Sequence, residues 1–240
     1  MNYLKIDARI NAIAKAVGSC NTVIDIGTDH GKLPAKLLMD GVCNKAILVD
    51  ISKDSLQKAK DLFDELKLHG EFIVSDGFEK IDEQFDCVVI SGMGSELISD
   101  ILQKGVEKLN GAHLVLGPNL KEENLRKFLS SIHYCVKYEV LVRAAKRIYC
   151  IIYAQVSQET LNPKELYIGK IFNQYNDIKI IREYLNKQKK LLQAELDGKN
   201  MAKIKNYERV SEINTKLKWI EEELEKLKYY ESKKTIKNFR

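Results

Sequence analysis

Acidic residues and glycines recur at regular intervals in the first half of the chain. Asp25 and Gly27 open the segment Asp25-Ile26-Gly27-Thr28-Asp29-His30-Gly31, and Asp50 follows 23 positions after Gly27. Asp76 ends a further apolar run. An acid about 20 residues beyond a glycine turn can bind the two hydroxyls of a ribose. The spacing therefore predicts a site for a ligand that contains a nucleoside.

Each of these polar groups follows a short apolar run that is typical of a buried β-strand. The runs cover residues 22–26, 46–50, 71–75 and 87–90, and the last leads into Ser91-Gly92-Met93-Gly94. Open α/β sheets bind ligands outside the carboxyl ends of their strands, where helix N-termini offer free N–H groups. The four strand ends together predict one binding edge, whereas any one of them could be an ordinary βα turn.

Asp29 separates two classes of nucleotide-like ligand. The dinucleotide fingerprint G-x-G-x-x-G has glycine at this place, and a carboxylate there would lie against the pyrophosphate of NAD. S-adenosyl-L-methionine (AdoMet) is compatible with the carboxylate, because it carries a sulfonium and an ammonium group. The class I methyltransferases have a similar set of acids and glycines, here Asp25, Gly27, Asp29, Gly31, Asp50 and Asp76.

Three segments carry a closer resemblance to one bacterial family. Residues 25–34 (DIGTDHGKLP), 91–94 (SGMG) and 117–119 (GPN) resemble the TrmK family, whose members methylate N1 of adenine 22 in tRNA with AdoMet. The likeness covers most of residues 1–157, and a helical C-terminal appendage is also a family trait. Two places differ: the family has Gln where this chain has Gly117, and it tends to be acidic where residues 143–147 are basic.

The resemblance implies roles for the residues of the predicted site. Asp50 is expected to hold the ribose and Asp76 to reach the adenine amino group of the cofactor. The full set expected to bind the cofactor is Asp25, Gly27, Thr28, Asp29, His30, Gly31, Asp50, Ile51, Ser52, Asp76, Gly77, Ser91, Gly92 and Met93. Met93 is expected to pack against a ring of the cofactor or of the target.

The residues expected to act in catalysis are Asp29, His30, Pro118 and Asn119. Adenine N1 has its own lone pair and needs no deprotonation before it attacks a methyl group. Pro118 and Asn119 are expected to line the pocket for the target base, with Asn119 contacting the adenine edge. Asp29 could accept the proton that N6 loses after methylation, or it could instead bind the AdoMet ammonium or cap the helix. His30 could share either role.

The composition argues against several classes of protein. No apolar run reaches the roughly 18 residues of a membrane span, and the N-terminus lacks the apolar core of a signal peptide. The five cysteines show no zinc-binding spacing, and three of them lie in apolar strand contexts. We therefore expect reduced core thiols, no metal site, no membrane association and a cytoplasmic location.

Positive charge is concentrated in the last third of the chain. Residues 1–160 hold 20 Lys/Arg and 22 Asp/Glu, whereas residues 161–240 hold 19 and 12. A basic appendage beside a near-neutral core suits a polyanionic partner, here tRNA. The alternative is compositional bias, because Lys outnumbers Arg 32 to 7. Lys5 and Arg9, one helical turn apart, could likewise contact phosphate or face solvent.

The periodicities predict an α/β fold, a Rossmann-like class I methyltransferase sheet with a C-terminal antiparallel helical (coiled-coil) hairpin. Helices are predicted at 4–17, 32–40, 96–109 and 122–130, with another that Ser52 caps. Further strands at 113–116, 135–142 and 148–156 would complete seven, all parallel except the last. The order of the strands follows only from the resemblance.

The break at Asn162-Pro163 predicts a boundary between an AdoMet-binding domain, residues 1–160, and a helical hairpin, residues 161–240. Heptad seams run from Ile171 to Leu192 and from Val210 to Leu227. Between them, Asp197-Gly198-Lys199-Asn200 predicts a turn, so that the two helices pack antiparallel. We expect a monomer or a weak homodimer formed through this hairpin.

Two other functions remain open at this stage. The same fold could methylate another RNA, a protein or a small molecule. A non-catalytic RNA-binding scaffold could also keep the core and use the hairpin for its partners. The complete set of Asp25, Gly27, Asp50 and Asp76 argues against the scaffold, because a decayed site would be expected to lose some of these residues.

Overall fold

A seven-stranded sheet lies at the centre of the fold. The computed structural model describes residues 4–171, 177–201 and 206–237, with side chains up to residue 232. The strands are β1 (Thr22–Ile26), β2 (Lys45–Asp50), β3 (Glu71–Val74), β4 (Cys87–Ser91), β5 (His113–Gly117), β6 (Tyr134–Ala144) and β7 (Arg147–Val156). Their order across the sheet is β3-β2-β1-β4-β5-β7-β6. Only β7 runs antiparallel to its neighbours, so the seven predicted strands and the single antiparallel last strand are confirmed.

Helices cover both faces of this sheet. Within the described ranges they are α1 (Ala8–Val17), α2 (Lys32–Met39), α3 (Lys53–Leu66), α4 (Ser95–Lys104), α5 (Glu122–Ser131), α6 (Pro163–Ile168), α7 (Ile178–Met201) and α8 (Tyr207–Lys237). None of the described helices is long and apolar enough to cross a membrane. No group of three or more His, Cys, Asp or Glu among the described residues could hold a metal ion.

Side-chain caps decide where two helices begin, and a third helix ends earlier than predicted. Ser52 caps α3 as predicted, since its hydroxyl accepts a hydrogen bond from the Ser55 N–H at 3.2 Å. α1 begins at Ala8 rather than at residue 4, because Asp7 accepts a hydrogen bond from the Ile10 N–H at 2.8 Å. α4 ends at Lys104 rather than at residue 109, and a 3₁₀ turn covers Val106–Lys108.

Alternation along the strands divides the core into two apolar clusters. Ile24, Val88 and Leu114 point to the face that α4, α5 and the C-terminal helices cover. Val23, Val89 and Val115 point to the other face, which α1, α2 and α3 cover. Residues of α7 and α8 such as Leu185 and Ile213 belong to the first cluster. The C-terminal helices therefore contribute to the same core as the sheet.

The predicted turn at Asp197–Asn200 is wrong, because these residues continue α7 as far as Met201. A glycine in an exposed helix costs only about 1 kcal/mol relative to alanine. Leu196 is buried, and the Gln193 amide donates to the Asp197 carboxylate at 3.0 Å, so packing and local bonding outweigh Gly198. α8 begins at Tyr207, and the two helices pack on each other as predicted.

The start of the first seam was also placed too early. Ile171 is buried but not helical, Gln174 lies outside the described residues, and α7 begins at Ile178. The short helix α6, which was not predicted, follows the break at Asn162-Pro163. Asn162 and Glu165 form a reciprocal capping box at its start. The boundary near residue 160 stays a prediction.

A buried ion pair joins the sheet to the C-terminal helices. Arg126 on α5 and Glu139 on β6 are both fully buried, and the Arg126 Nε donates to Glu139 at 2.9 Å. Arg126 also donates to the carbonyls of Leu166 and Tyr167 at 2.9 and 3.0 Å. Burial opposes the charge on Arg126, but the adjacent Glu139 outweighs it and raises the arginine pKa. The pair thus binds the last turn of α6 to the core.

Arg126→Met should lower the free energy of unfolding by about 3–5 kcal/mol, because it leaves the Glu139 carboxylate buried without its counter-charge. Urea denaturation followed by circular dichroism measures the change. Lys228→Met is the matched control, since Lys228 pairs with Glu225 on the exposed surface and should cost about 1 kcal/mol or less. Equal losses in the two variants would contradict the structural role of the buried pair.

Candidate functional site

The turn between β1 and α2 has an unusual backbone. Gly27, Asp29 and Gly31 all have positive φ, at 76°, 52° and 66°. A Cβ placed on Gly27 would lie 2.1 Å from the Met93 Cε, the flexible end of that side chain, so it is the positive φ that favours glycine here. Met93, which follows β4, therefore packs on the glycine turn that follows β1. This contact brings the carboxyl ends of β1 and β4 together.

An open cleft of about 620 Å³ lies at the carboxyl ends of the parallel strands. This volume is within the roughly 300–1,000 Å³ of small-molecule sites. The predicted residues that line it are Asp25, Gly27, Thr28, Asp29, His30, Asp50, Ile51, Asp76, Gly77, Ser91, Gly92 and Met93. The structure thus brings together residues from four separate strand ends.

Two residues of the expected cofactor set do not line the cleft. Gly31 is buried at the start of α2, and a Cβ there would lie 2.9 Å from the Ala59 Cβ, so it permits close packing of α2 on α3. Ser52 caps α3 through its hydroxyl. Gly31 and Ser52 therefore stabilise the helices α2 and α3 that shape the cleft, rather than its lining.

Asp50 is held in a fixed orientation by two backbone N–H groups. Its Oδ1 accepts from the Ser52 N–H at 2.9 Å, and its Oδ2 accepts from the Asp29 N–H at 3.2 Å. Each carboxylate oxygen can accept a further hydrogen bond. Asp50 can therefore bind two vicinal hydroxyls while it also supports the β1–α2 turn.

Asp25 is the most buried acid of the cleft. Burial raises its pKa to about 7, against the hydrogen bond from the Thr28 hydroxyl, which lowers it, and with a smaller contribution from the charge of Asp50. The Thr28 Oγ1 lies 2.7 Å from the Asp25 Oδ2. A cation bound beside Asp25 would stabilise its charged form.

Asp29 and His30 form an exposed pair at the mouth of the cleft. The His30 Nδ1 lies 2.7 Å from the Asp29 Oδ2, and both side chains are accessible to solvent. A carboxylate that contacts one ring nitrogen orients the imidazole and leaves the other nitrogen free to exchange a proton. Asp76 lies on another wall of the cleft, where the Lys104 Nζ is 3.3 Å from its carboxylate.

Pro118 and Asn119 adjoin the cleft without lining it. The Asn119 N–H donates to the Met93 carbonyl at 2.8 Å, and its Nδ2 donates to the Gly92 carbonyl at 2.6 Å. Because Nδ2 is the donor in this bond, the amide orientation is assigned, and Oδ1 is left as an acceptor. Asn119 is exposed and Pro118 is buried. A Cβ on Gly117 would lie 2.3 Å from the Ser91 Oγ, which fills the space beside this glycine.

Several residues of the cleft were not predicted from the sequence. α1 and its N-cap contribute Asp7, Ile10 and Ile13, and the other additions include Ser75, Leu97 and Ile101. Arg9 also lines the cleft, and its guanidinium lies 5.2 Å from the centre of the Tyr149 ring. The position of Arg9 near the turn was a signal for this contact, whereas Lys5 is exposed and does not line the cleft. Nothing in the sequence indicated Tyr149, which comes from β7.

The acidic lining of the cleft fits AdoMet rather than a dinucleotide. Five aspartates line the cleft against two basic residues, Arg9 and Lys32, and this acidic excess suits a ligand with a ribose and two cationic groups; the aspartates are Asp7, Asp25, Asp29, Asp50 and Asp76. A pyrophosphate placed among them would be repelled. The sheet order and this cleft are those of the class I methyltransferases.

Comparison with known proteins agrees with this class. A family model described as a methyltransferase domain matches residues 6–152. The tRNA (adenine(22)-N(1))-methyltransferase of Bacillus subtilis is 30% identical over 159 residues, which are 65% of this chain and 67% of the relative.

Two solved structures have the same fold along nearly the whole chain. The M. capricolum TrmK in complex with S-adenosyl-homocysteine is 26% identical, with a TM-score of 0.77 over 92% of this chain and 98% of the other. The B. subtilis TrmK is 22% identical, with a TM-score of 0.80 over 91% and 98%. The chain belongs to the TrmK family of tRNA (adenine(22)-N(1))-methyltransferases.

Asp25→Asn should stabilise the cofactor-free protein relative to the wild type as pH rises. The pKa of Asp25 is about 7 in the folded protein and about 3.9 in an unfolded chain. Between these values the unfolded state releases the proton first, so the wild type loses stability up to about pH 7, by at most about 4 kcal/mol. Asparagine does not titrate and can still accept the Thr28 hydrogen bond.

Urea denaturation of both proteins at intervals from pH 4.5 to 8 measures this difference. The free energies of unfolding should diverge with pH in favour of the variant. Curves that stay parallel would show that the Asp25 carboxyl titrates alike in the folded and unfolded states.

Proposed function

We propose that this protein methylates N1 of adenine 22 in tRNA, with AdoMet as the methyl donor. The family membership and the cofactor-bound relative support the reaction class, and the acidic cleft supports the cofactor. The identity of the target base is inferred from the position of Asn119. It is held at the rim of the cleft by Gly92 and Met93 with its Oδ1 unused by any described hydrogen bond.

Different residues of the cleft bind different parts of the cofactor. Asp50 binds the ribose hydroxyls, Asp76 meets the adenine amino group, and Asp25 faces the ammonium. Ile51, which is 74% exposed, covers the adenine ring from the end of β2. The bound cofactor supplies an electrophilic methyl group on a sulfonium.

The protein's task towards the target is positioning. N1 of adenine carries a free lone pair, so no residue has to activate it, and alignment alone can supply several kcal/mol. A base inside a folded tRNA has to leave its stack to reach the cleft. The Asn119 Oδ1 is an acceptor, so it matches the N6 amino group that lies next to N1 and distinguishes adenine from guanine.

Asp29 and His30 lie where the N6 proton can be taken up as N1 is alkylated, so that its removal contributes to the same transition state. The Asp29 carboxylate accepts the proton, and the adjacent His30 ring passes it to solvent, since both are exposed. The competing role for Asp29 is binding of the ammonium, and cofactor affinity separates the two.

Asp29→Asn should slow single-turnover methylation while AdoMet affinity stays within about twofold of the wild type, a loss on the order of 100-fold for a general base. Asparagine tolerates the positive φ of this position, so the turn should keep its shape. Rapid-quench kinetics and titration calorimetry measure the two quantities. Asp40→Asn is the control, since Asp40 is an exposed acid that pairs with Lys36. A loss confined to AdoMet affinity would assign Asp29 to the ammonium.

Methyl transfer to tRNA transcripts tests the reaction directly. The purified chain is incubated with methyl-labelled AdoMet and a tRNA transcript, and digestion to nucleosides identifies the product. 1-Methyladenosine should form on the wild-type transcript and be absent when guanosine replaces adenine 22. Product at another position, or a different methylated nucleoside, would refute the proposed target. Absence of AdoMet binding in calorimetry would leave only the scaffold.

The exposed face of α7 supports contact with the tRNA backbone. Lys179, Lys187 and Lys190 have no ion-pair partner among the described residues, and all three are exposed. Residues 179 and 190 are about three helical turns apart, so they share a face. Many other lysines of the hairpin pair with acids, for example Lys164, Lys216 and Lys228. Only part of the positive charge is therefore available to phosphate.

Replacing both Lys187 and Lys190 by Glu should weaken tRNA binding and make its dependence on salt shallower. Each lost phosphate contact removes roughly 0.9 from the slope of log affinity against log salt. Filter binding at several salt concentrations measures the slope. The control replaces Lys15 and Lys58, which are exposed on α1 and α3, and AdoMet affinity should not change in either variant. An unchanged slope would show that this face does not contact phosphate.

The apolar seams of the hairpin support a monomer. Leu185, Leu192, Ile213 and Leu227 are buried within the chain itself, so the seam is not free to join a second copy. Sedimentation analysis distinguishes the monomer from a homodimer. A tRNA substrate supports a cytoplasmic location for the enzyme.

A further inference from the structure

One exposed leucine at the rim of the cleft is not explained by cofactor binding. Among the described residues, three large apolar side chains near the cleft are exposed: Ile51, Leu97 and Leu120. Ile51 and Leu97 line the cleft itself. Leu120 is outside the lining, is 67% exposed and directly follows Asn119. A single exposed leucine is common, so its position carries the inference rather than its exposure.

The backbone of Leu120 is fixed on both sides. Its carbonyl accepts a hydrogen bond at 2.8 Å from the hydroxyl of Ser95, which is buried at the start of α4. On one side, Asn119 is held by Met93 and Gly92. On the other side, Lys121 has a positive φ and pairs with Glu96 at 2.5 Å. The leucine is thus presented at the cleft from a rigid segment.

An adenine that leaves its stack creates a gap between its former neighbours. Proteins that unstack bases frequently insert an apolar side chain between base steps, which stabilises the opened nucleic acid. The cost of unstacking falls when such a side chain replaces the lost contacts. Leu120 is apolar, rigidly presented, and next to the residue that meets the extruded base.

We propose that Leu120 inserts into the space that the target adenine vacates and so holds the base in the cleft. This inference rests on the proposed function, since it requires a target base inside a folded RNA. Leu120 is a positioning residue, because it contacts the neighbours of the target rather than the reacting atoms.

The test compares Leu120→Ala and Leu120→Phe with the wild type, after circular dichroism has shown that each is folded. Val156→Ala is the matched control. Val156 is also exposed, at 55%, but it is the last residue of β7, which ends on the side of the sheet away from the cleft because β7 runs antiparallel to β5. The probes are two tRNA transcripts. One carries 2-aminopurine at position 22, whose fluorescence rises when the base leaves the stack. The other keeps adenine 22 but has its neighbouring pairs replaced by mismatches.

Leu120→Ala should reduce the fluorescence rise in the complex with S-adenosyl-homocysteine and slow methylation of the intact tRNA, each on the order of tenfold or less. Methylation of the mismatched transcript should stay within about twofold of the wild type, because its target is already unstacked. Leu120→Phe should retain most of both signals, and Val156→Ala should behave as the wild type. Cofactor affinity should be the same in all four proteins.

An alanine variant with normal fluorescence and normal rate on intact tRNA would overturn the inference and leave the proposed function standing. An equal loss on both transcripts would also overturn it, since Leu120 would then act in binding rather than in unstacking. A wild-type protein that methylates neither transcript would overturn the proposed function, and the inserted leucine with it.

Discussion

The buried pair of Arg126 and Glu139 determines how the C-terminal helices lie on the catalytic core. Two charges removed from water are costly unless their remaining donors and acceptors are satisfied. Here the Nη1 of Arg126 donates to the Leu166 and Tyr167 carbonyls at the end of α6, its Nη2 lies 2.9 Å from the Glu139 carboxylate, and Glu139 accepts from the Lys170 N–H. The carbonyls that end a helix have no partner within it, and a cation is favoured there. These bonds to the helix carbonyls form only when α6 is in place, and a Cβ on Gly169 would lie 2.1 Å from the Glu139 Oε2.

The hairpin is consequently part of the core rather than a separable tail. Lys216 of α8 pairs with Glu123 of α5 at 2.7 Å and lies over the Tyr167 ring, which also contacts Trp219. Trp219 thus has a packing role. Removal of the last 80 residues would expose the cluster on one face of the sheet and leave Arg126 and Glu139 without their backbone partners. Charge changes on the surface of α7 are for this reason a cleaner test of RNA contact than truncation.

The fold and the centre of the site follow from local patterns, and the rest depends on contacts between distant residues. Buried strands with polar ends, and an acid 23 positions after Gly27, can be recognised from the sequence because the motif is contained within one βαβ unit. The role of α1 in the cleft could not be predicted in full, since Arg9 meets Tyr149 from the other end of the domain. The turn at Asp197–Asn200 was wrong because the packing of Leu196 outweighs one glycine. The pairing of Arg126 with Glu139 has no local signature at all.

The charges of the cleft also restrict which residues can meet the RNA. Five aspartates against Arg9 and Lys32 give the cleft an acidic excess, which suits a cationic cofactor but repels the phosphates of a tRNA. Contacts to phosphate are then expected beyond the cleft, and Lys187 and Lys190 of α7 are exposed there with no ion-pair partner in the described ranges. Apart from Asp29 and His30, the residues that approach the target nucleotide at the rim should be uncharged, so that they neither bind phosphate in the cleft nor compete with the acids for the cofactor. The segment Pro118, Asn119 and Leu120 has this character. The division of one molecule into an acidic pocket, a neutral rim and a basic outer helix is thus what electrostatics requires of an enzyme that binds a small cation and a large polyanion together.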